Sequence, residues 1–145
     1  MPSFDPARLD IANYRHSAQI ETRFQDLDPL GHINNVAMAA LFESGRVRFN
    51  REILTARQAR DEGDRWLVAR VEINYLAEAH FPEAVTIAHS IGKIGNRSWQ
   101  IVGAAWQSGQ CVALCDATLV YQSATGKTSI SDAMRAQLES LLFQG

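Results

Sequence analysis

Two acidic residues, Asp26 and Asp28, stand just before a polar turn and a predicted helix that starts at Asn34. A carboxylate can attack a carbonyl carbon or activate water for that attack. The first N–H groups of a helix have no partners within the helix, so they can stabilise a developing oxyanion. Because Pro29 and Gly31 favour a sharp reversal, both kinds of group can reach one carbonyl. The segment predicts a site for chemistry at a carbonyl carbon.

Each residue of this segment also has a structural interpretation. Asp28 alone is typical of a turn or cap residue before proline, but the whole block favours a catalytic role. Asp26 is predicted to orient the turn and not to be a second catalyst. His32 either orients or binds a substrate, or is a hydrogen-bonded structural group. Asn34 is predicted to cap the helix, and Asn35 to donate its backbone N–H to an oxyanion.

Glu43 is a further acidic residue, within the predicted helix from about Asn34 to Leu54. It is either catalytic itself or paired with Arg46 one turn later. The first turns of this helix, from Val36 to Phe42, are apolar all round, which predicts that other structure encloses them. Polar residues return from Glu43 onward, so we expect the helix to emerge into solvent at its far end.

The rest of the chain reads mainly as strands. Ranges with strand-like patterns are 17–24, 66–76, 84–94, 98–107 and 110–122. Gly95-Asn96 is a two-residue hairpin pattern, and Ser108-Gly109 marks another tight turn. Ser131 is predicted to cap a short C-terminal helix. We therefore expect one α+β domain over residues 1–145, with a long helix and a curved antiparallel sheet of five or six strands behind a loosely packed lead-in, residues 1–16.

Bulk composition limits the possible functions. The chain has 145 residues, 46% of them hydrophobic, and a net charge of -2, which argues against a nucleic-acid partner. No apolar stretch approaches the ~18 residues of a membrane helix, and the start does not resemble a signal peptide. Cys111 and Cys115 are predicted to share one strand face about 13 Å apart, too far for a disulfide. Reduced cysteines are expected in the cytoplasm.

Arginines are concentrated in one stretch of the chain. This stretch contains Arg46, Arg48, Arg51, Arg57, Arg60, Arg65 and Arg70. A solvated helix and loop would explain them, and so would a local site for the phosphates of a nucleotide-bearing substrate.

The block from Arg23 to Asn35, followed by Phe42-Glu43-Ser44-Gly45-Arg46, resembles the 4-hydroxybenzoyl-CoA thioesterase family. It is most similar to the small bacterial acyl-CoA thioesterases with Asp-x-Asp-x-x-Gly-His-x-Asn-Asn. The resemblance covers most of the chain. It implies the hot-dog fold, in which a curved antiparallel sheet wraps a long helix, and hydrolysis of an acyl-CoA thioester to a carboxylic acid and CoA.

The resemblance also implies roles for individual residues. Asp28 would be the nucleophile or general base, with Asn35, His32 and Glu43 as the other catalytic candidates. Gly31 and, after the hairpin turn, Arg97 and Ser98 would contact the substrate and its CoA moiety. No cofactor or metal is implied. Such proteins form homodimers through a sheet edge, with active sites at the interface, and often homotetramers.

Two departures from the family pattern leave the substrate open. Met38 stands where many members have an aromatic residue, and the segment from Ala79 to Glu83 replaces a more usual Pro and Gly-Asp. An alternative function is a non-catalytic hot-dog module that binds acyl-CoA or acyl carrier protein. A third is a dehydratase acting through His80, but a strand follows where that motif needs the long helix.

Overall fold

The computed structural model describes residues 4–52, 65–126 and 129–145. Its regular elements are β1 (His16–Ile20), α1 (Asn35–Glu52), β2 (Arg65–Tyr75), β3 (Val85–Ile94), β4 (Ser98–Gln107), β5 (Gln110–Gln122) and α2 (Asp132–Glu139). The predicted helix end at Leu54, together with Arg57, Arg60 and Lys127, lies outside the described residues.

The five strands form one antiparallel sheet in the order β1-β3-β4-β5-β2. Ser108 and Gly109 connect β4 to β5 with positive φ angles of 51° and 78°, as a tight hairpin requires. The β3–β4 connection has three residues instead of the predicted two, and the Gly95 N–H donates to the Ser98 carbonyl across it. The expected α+β arrangement of one long helix on a five-stranded sheet is confirmed.

Helix α1 packs against β1, β3 and β4. Met38, Phe42 and Phe49 are among the side chains that it buries, and Gly45 lets the helix approach Ile87 of β3 closely. Helix α2, capped by Ser131 as predicted, adds Met134 and Leu138 to a second core cluster at the far end of α1. The hydrophobic core therefore runs along the whole underside of α1.

The expectation that the start of α1 is enclosed on all sides is wrong for the single chain. Val36 is 74% exposed and Ala40 is also exposed, because they lie on the face opposite the sheet. The expected emergence at the far end is confirmed only in part, because Val47, Arg48, Arg51 and Glu52 are exposed whereas Arg46 and Phe49 are buried. A helical turn that is apolar on every side does not indicate which of its faces packs against the sheet.

The predicted first strand is shorter than expected, because it ends at Ile20 and Phe24 begins a 3₁₀ turn. The two cysteines are free, but they do not share a face. The pairing of β4 with β5 shifts between Ala105 and Trp106, which marks a β-bulge. After Cys111, the side chains of β5 therefore alternate between the two sheet faces in the opposite phase. Cys115 therefore packs in the core under α1, while Cys111 packs on the other side of the sheet.

The lead-in is anchored and not loosely packed. The Arg8 guanidinium donates to Asp116 Oδ1 at 2.8 Å and to the Gly103 carbonyl at 3.0 Å. Tyr14 is buried against Trp106 and Phe143. The described part of the lead-in therefore covers the sheet face opposite α1.

Candidate active site

Asp28 lies in a closed turn immediately before α1. Its Oδ1 accepts hydrogen bonds from the backbone N–H groups of Leu30 at 2.9 Å and His32 at 3.1 Å. The Gly31 N–H donates to the Asp28 carbonyl, and Gly31 has a φ of 82°, which favours glycine. Within the described residues no hydrogen bond engages Asp28 Oδ2. One carboxylate oxygen therefore holds the turn, and the other is available for chemistry.

Asp26 has the orienting role predicted for it. Its buried carboxylate accepts from the backbone N–H of Arg23 at 2.9 Å and from the guanidinium of the same residue. The Asp26 carbonyl accepts from the Asn34 N–H at 2.8 Å. Asp26 therefore connects Arg23, before the Asp28 turn, with Asn34, after it. Both oxygens of its carboxylate accept hydrogen bonds from Arg23, so the side chain has a structural role.

The start of α1 offers free N–H groups. The Asn34 side chain accepts from the Ala37 N–H at 2.7 Å, which confirms the predicted cap. The N–H groups of Asn35 and Val36 have no acceptor in the part of the chain that the structure describes. The Tyr75 hydroxyl donates to the Asn35 carbonyl at 3.3 Å, and partial burial raises the pKa of this phenol. A strand of the sheet therefore contacts the helix start.

The loop after β2 also reaches this turn. His32 Nε2 lies 3.1 Å from Glu78 Oε2, and the rings of His32 and His80 pack edge to face with centroids 5.3 Å apart. The Ile33 N–H donates to the Ala79 carbonyl at 2.8 Å. Buried Gln107 fixes the same loop, exchanging two 2.7 Å hydrogen bonds with the backbone of His80.

Sequence reasoning did not identify Glu78 or Gln107. Glu78 lies 46 positions after His32, and Gln107 lies at the end of β4. No local spacing pattern connects residues this far apart, because only the folding of the sheet brings them together. The single available indication was the unusual segment from Ala79 to Glu83.

Glu43 is exposed on α1, and no ion pair joins it to Arg46 within the described residues. The structural pair considered for them is therefore absent. Arg46 is buried near His89 and Cys115. Burial raises the pKa of the Cys115 thiol to about 11 despite the nearby guanidinium, so this cysteine stays protonated.

Arg97 and Ser98 are not close to Asp28 in the same chain. Arg97 is the last residue of the β3–β4 connection and Ser98 begins β4, whereas Val85 at the beginning of β3 shares a core cluster with Ile33. The ten residues of β3 span about 30 Å. A single chain therefore does not bring these two residues to the turn that holds Asp28.

A second histidine pair lies beneath α1. His16 and His89 are partners in the β1–β3 register, and His16 Nε2 lies 2.9 Å from Glu52 Oε2. His89 is 1% exposed, and its Nδ1 has no hydrogen-bond partner among the residues that the structure describes. Burial, with nearby Arg46, lowers the pKa of His89 to about 3, so the ring is neutral at pH 7.

Residues 4–52, 65–126 and 129–145 contain no group of three or more histidine, cysteine, aspartate or glutamate side chains that could hold a metal ion. Among the same residues, neither helix is long and apolar enough to cross a membrane.

Comparison with known proteins identifies the family. The profile of the thioesterase-like superfamily matches residues 22–138, which is more than half of the chain, so the chain belongs to this superfamily. No curated protein sequence matches.

Solved structures share the fold. The PA5185 protein from Pseudomonas aeruginosa strain PAO1 is 25% identical over 92% of this chain and 96% of its own, with a TM-score of 0.77. A predicted thioesterase from Bacillus stearothermophilus is 27% identical, covers 89% and 97%, and has a TM-score of 0.76. A thioesterase-superfamily structure from Jannaschia sp. CCS1 is 27% identical, covers 88% and 82%, and has a TM-score of 0.74. These likenesses confirm the hot-dog fold.

Proposed function

We propose that the protein hydrolyses acyl-CoA thioesters to a carboxylic acid and CoA, with Asp28 as nucleophile or general base. The observation that carries the proposal is the Asp28 turn, which leaves Oδ2 without a partner among the described residues and next to the start of α1. Membership of the thioesterase-like superfamily supports the reaction class. The name of the Bacillus stearothermophilus relative, a predicted thioesterase, agrees with it.

The free N–H groups at the helix start support the other half of the reaction. In our proposal the thioester carbonyl accepts from the Asn35 N–H, which stabilises the oxyanion that forms when the carbonyl carbon is attacked. The positive end of the helix dipole acts in the same direction. The space beside Gly31 is open, because a Cβ atom placed there would meet no other atom within 4 Å, and in our proposal the substrate lies in this space.

We also propose that the working form is a homodimer or homotetramer. Strand β2 lies at the sheet edge, and its apolar side chains Val68, Val71 and Tyr75 are about half exposed. A second copy paired at this edge would cover them. It could also bring its own Arg97 and Ser98 to the CoA moiety at Asp28, which these residues do not reach within one chain.

The test is a kinetic screen over CoA esters of varied chain length and aromaticity, run beside the Asp28→Asn variant. An asparagine oxygen can still accept from Leu30 and His32, so the turn should survive while the charge is lost. We expect kcat to fall by roughly 10²–10⁴-fold, the usual contribution of a positioned base. Asp132→Asn, at an exposed acid in the first turn of α2, is the matched control.

Unchanged turnover in Asp28→Asn would exclude the proposed role of Asp28. Binding of acyl-CoA without turnover by the parent protein would instead support the non-catalytic alternative. Light scattering of the purified parent protein tests the oligomer, and a monomer at working concentration would contradict it.

A further inference from the structure

Glu78 is the acidic residue that the loop after β2 adds to the candidate site. Its Oε2 lies 3.1 Å from His32 Nε2, although Glu78 is itself largely exposed. The loop is not free to move away, because Ala79 accepts from the Ile33 N–H and Gln107 holds the backbone of His80. The contact between Glu78 and His32 therefore rests on a fixed piece of backbone.

The contact favours one nitrogen of His32 as the basic one. A carboxylate oxygen 3.1 Å from Nε2 favours the tautomer of the neutral ring that carries its proton on Nε2 and keeps a lone pair on Nδ1. Nδ1 is the ring nitrogen next to the backbone of His32, whose N–H donates to Asp28 Oδ1 at 3.1 Å. The basic nitrogen and the Asp28 carboxylate therefore belong to the same turn.

Two contacts restrict the His32 imidazole, and a third fixes its backbone. Glu78 Oε2 lies 3.1 Å from one ring nitrogen, the His80 ring packs against the imidazole, and the backbone N–H donates to Asp28 Oδ1. An exposed ion pair alone contributes little to stability, at most about 1 kcal/mol. Orientation of an imidazole by a carboxylate, in contrast, is how hydrolases fix the tautomer of a general base.

We propose that Glu78 is a positioning residue that holds His32 with Nδ1 free, and that Nδ1 accepts the proton of the hydrolytic water. This inference rests on the proposed thioester hydrolysis. In the route with Asp28 as nucleophile, its Oδ2 forms a bond to the acyl carbon while the electron pair of the C–S bond leaves with sulfur. The water oxygen then forms a bond to the acyl carbon while its proton passes to Nδ1, and the electron pair of the bond between the acyl carbon and Asp28 returns to the carboxylate. The thiolate takes the proton from Nδ1, so that acid and thiol are released.

The experiment compares Glu78→Gln with Glu83→Gln, a control at an exposed acid of the same loop. We expect Glu78→Gln to lower kcat roughly tenfold, a part of the 10²–10⁴-fold that a positioned base contributes, with KM nearly unchanged. Glu78→Asp keeps the carboxylate and should restore part of the loss. Glu83→Gln should match the parent protein.

A double-mutant cycle with His32→Gln tests whether Glu78 acts through His32. The kcat loss caused by Glu78→Gln should disappear once His32 is replaced. Unchanged kcat in Glu78→Gln, an effect on KM alone, or an equal loss in the His32→Gln background would each overturn the inference. Full activity of Asp28→Asn would instead contradict the proposed role of Asp28, whatever the Glu78 variants show.

Discussion

Two clusters in this molecule each combine two histidines with one glutamate. The surface cluster comprises His32, His80 and Glu78. The interior cluster, so called because its two histidine side chains are buried, comprises His16, His89 and Glu52, whose own side chain is 59% exposed at the end of α1. The histidine–glutamate distances are similar, 3.1 Å in the first and 2.9 Å in the second. The surface cluster lies beside Asp28 and the start of α1, and the interior cluster lies under the far half of the same helix.

The comparison shows that position decides what the same residue types can do. In the interior cluster, Gly45 and Gly103 leave just enough room for the His89 ring, and burial keeps that ring neutral. In the surface cluster, the His32 side chain is partly exposed, at 26%, and its backbone N–H is bound to Asp28 Oδ1. We therefore expect the interior cluster to control stability and the surface cluster to control turnover.

The largest expected effect on stability comes from a substitution that disrupts the interior cluster by filling the space beside His89. A Cβ atom at Gly103 would lie 2.8 Å from both Cδ2 and Nε2 of the His89 ring. Gly103→Val should lower the free energy of unfolding by about 3 kcal/mol, as overpacking does. Chemical denaturation measures the change. The loss should be smaller in a His89→Ala background, and an equal loss there would show that the ring is not the obstacle.

The next effect concerns pH. The pKa of His89 is about 3 in the folded protein and about 6.5 in the unfolded chain, so the unfolded chain takes up the proton first. Stability is complete above about pH 6.5 and falls as the pH drops toward 3, by about 2 kcal/mol at pH 5. Denaturation curves at pH 7 and pH 5 should show this, and His89→Gln should have a smaller pH dependence. An identical dependence in His89→Gln would assign the effect to other groups.

A smaller effect is expected at Glu52, the acid of the interior cluster. Glu52→Ala leaves Nε2 of the buried His16 ring without its partner, at a cost of about 1 kcal/mol in the free energy of unfolding. Glu52→Gln retains an acceptor oxygen and should be closer to the parent protein. Thioester turnover at saturating substrate should be unchanged in both variants, and a large loss of kcat would contradict the division between the clusters.

The smallest effect on stability is expected at Glu78. The Glu78 and Glu52 side chains are similarly exposed, at 64% and 59%, but His32 is 26% exposed whereas His16 is only 8% exposed. Because water can reach the His32 ring when Glu78 is removed, Glu78→Ala should change the free energy of unfolding by no more than about 0.5 kcal/mol. Substitution of Glu52 should therefore change the free energy of unfolding more than substitution of Glu78 does. Substitution of Glu78 should change kcat more than substitution of Glu52 does. Melting temperatures and kinetics on the same protein samples test both expectations together.

Much of the fold could be predicted from the sequence. Strands β4 and β5 have the predicted bounds, Asn34 and Ser131 cap the two helices as predicted, and Asp26 has its orienting role. Alternation, turn residues and caps depend on neighbours a few positions away, so they can be read locally. The β-bulge that places the two cysteines on opposite faces could not be read this way, because it depends on the pairing of β5 with β4.

The sequence by itself was enough to predict thioester hydrolysis as the reaction class and a turn around Asp28. Both predictions depend on a short contiguous block of residues. Only the tertiary structure decided that Glu78 contacts His32 and that Arg46 is buried. It also decided that the His89 ring packs against Gly45 and Gly103. It also decided that Arg97 and Ser98 lie at the opposite end of β3 from the Asp28 turn. The physical reason is that strand pairing and helix packing join residues far apart in the chain, and no local spacing records which of them will meet.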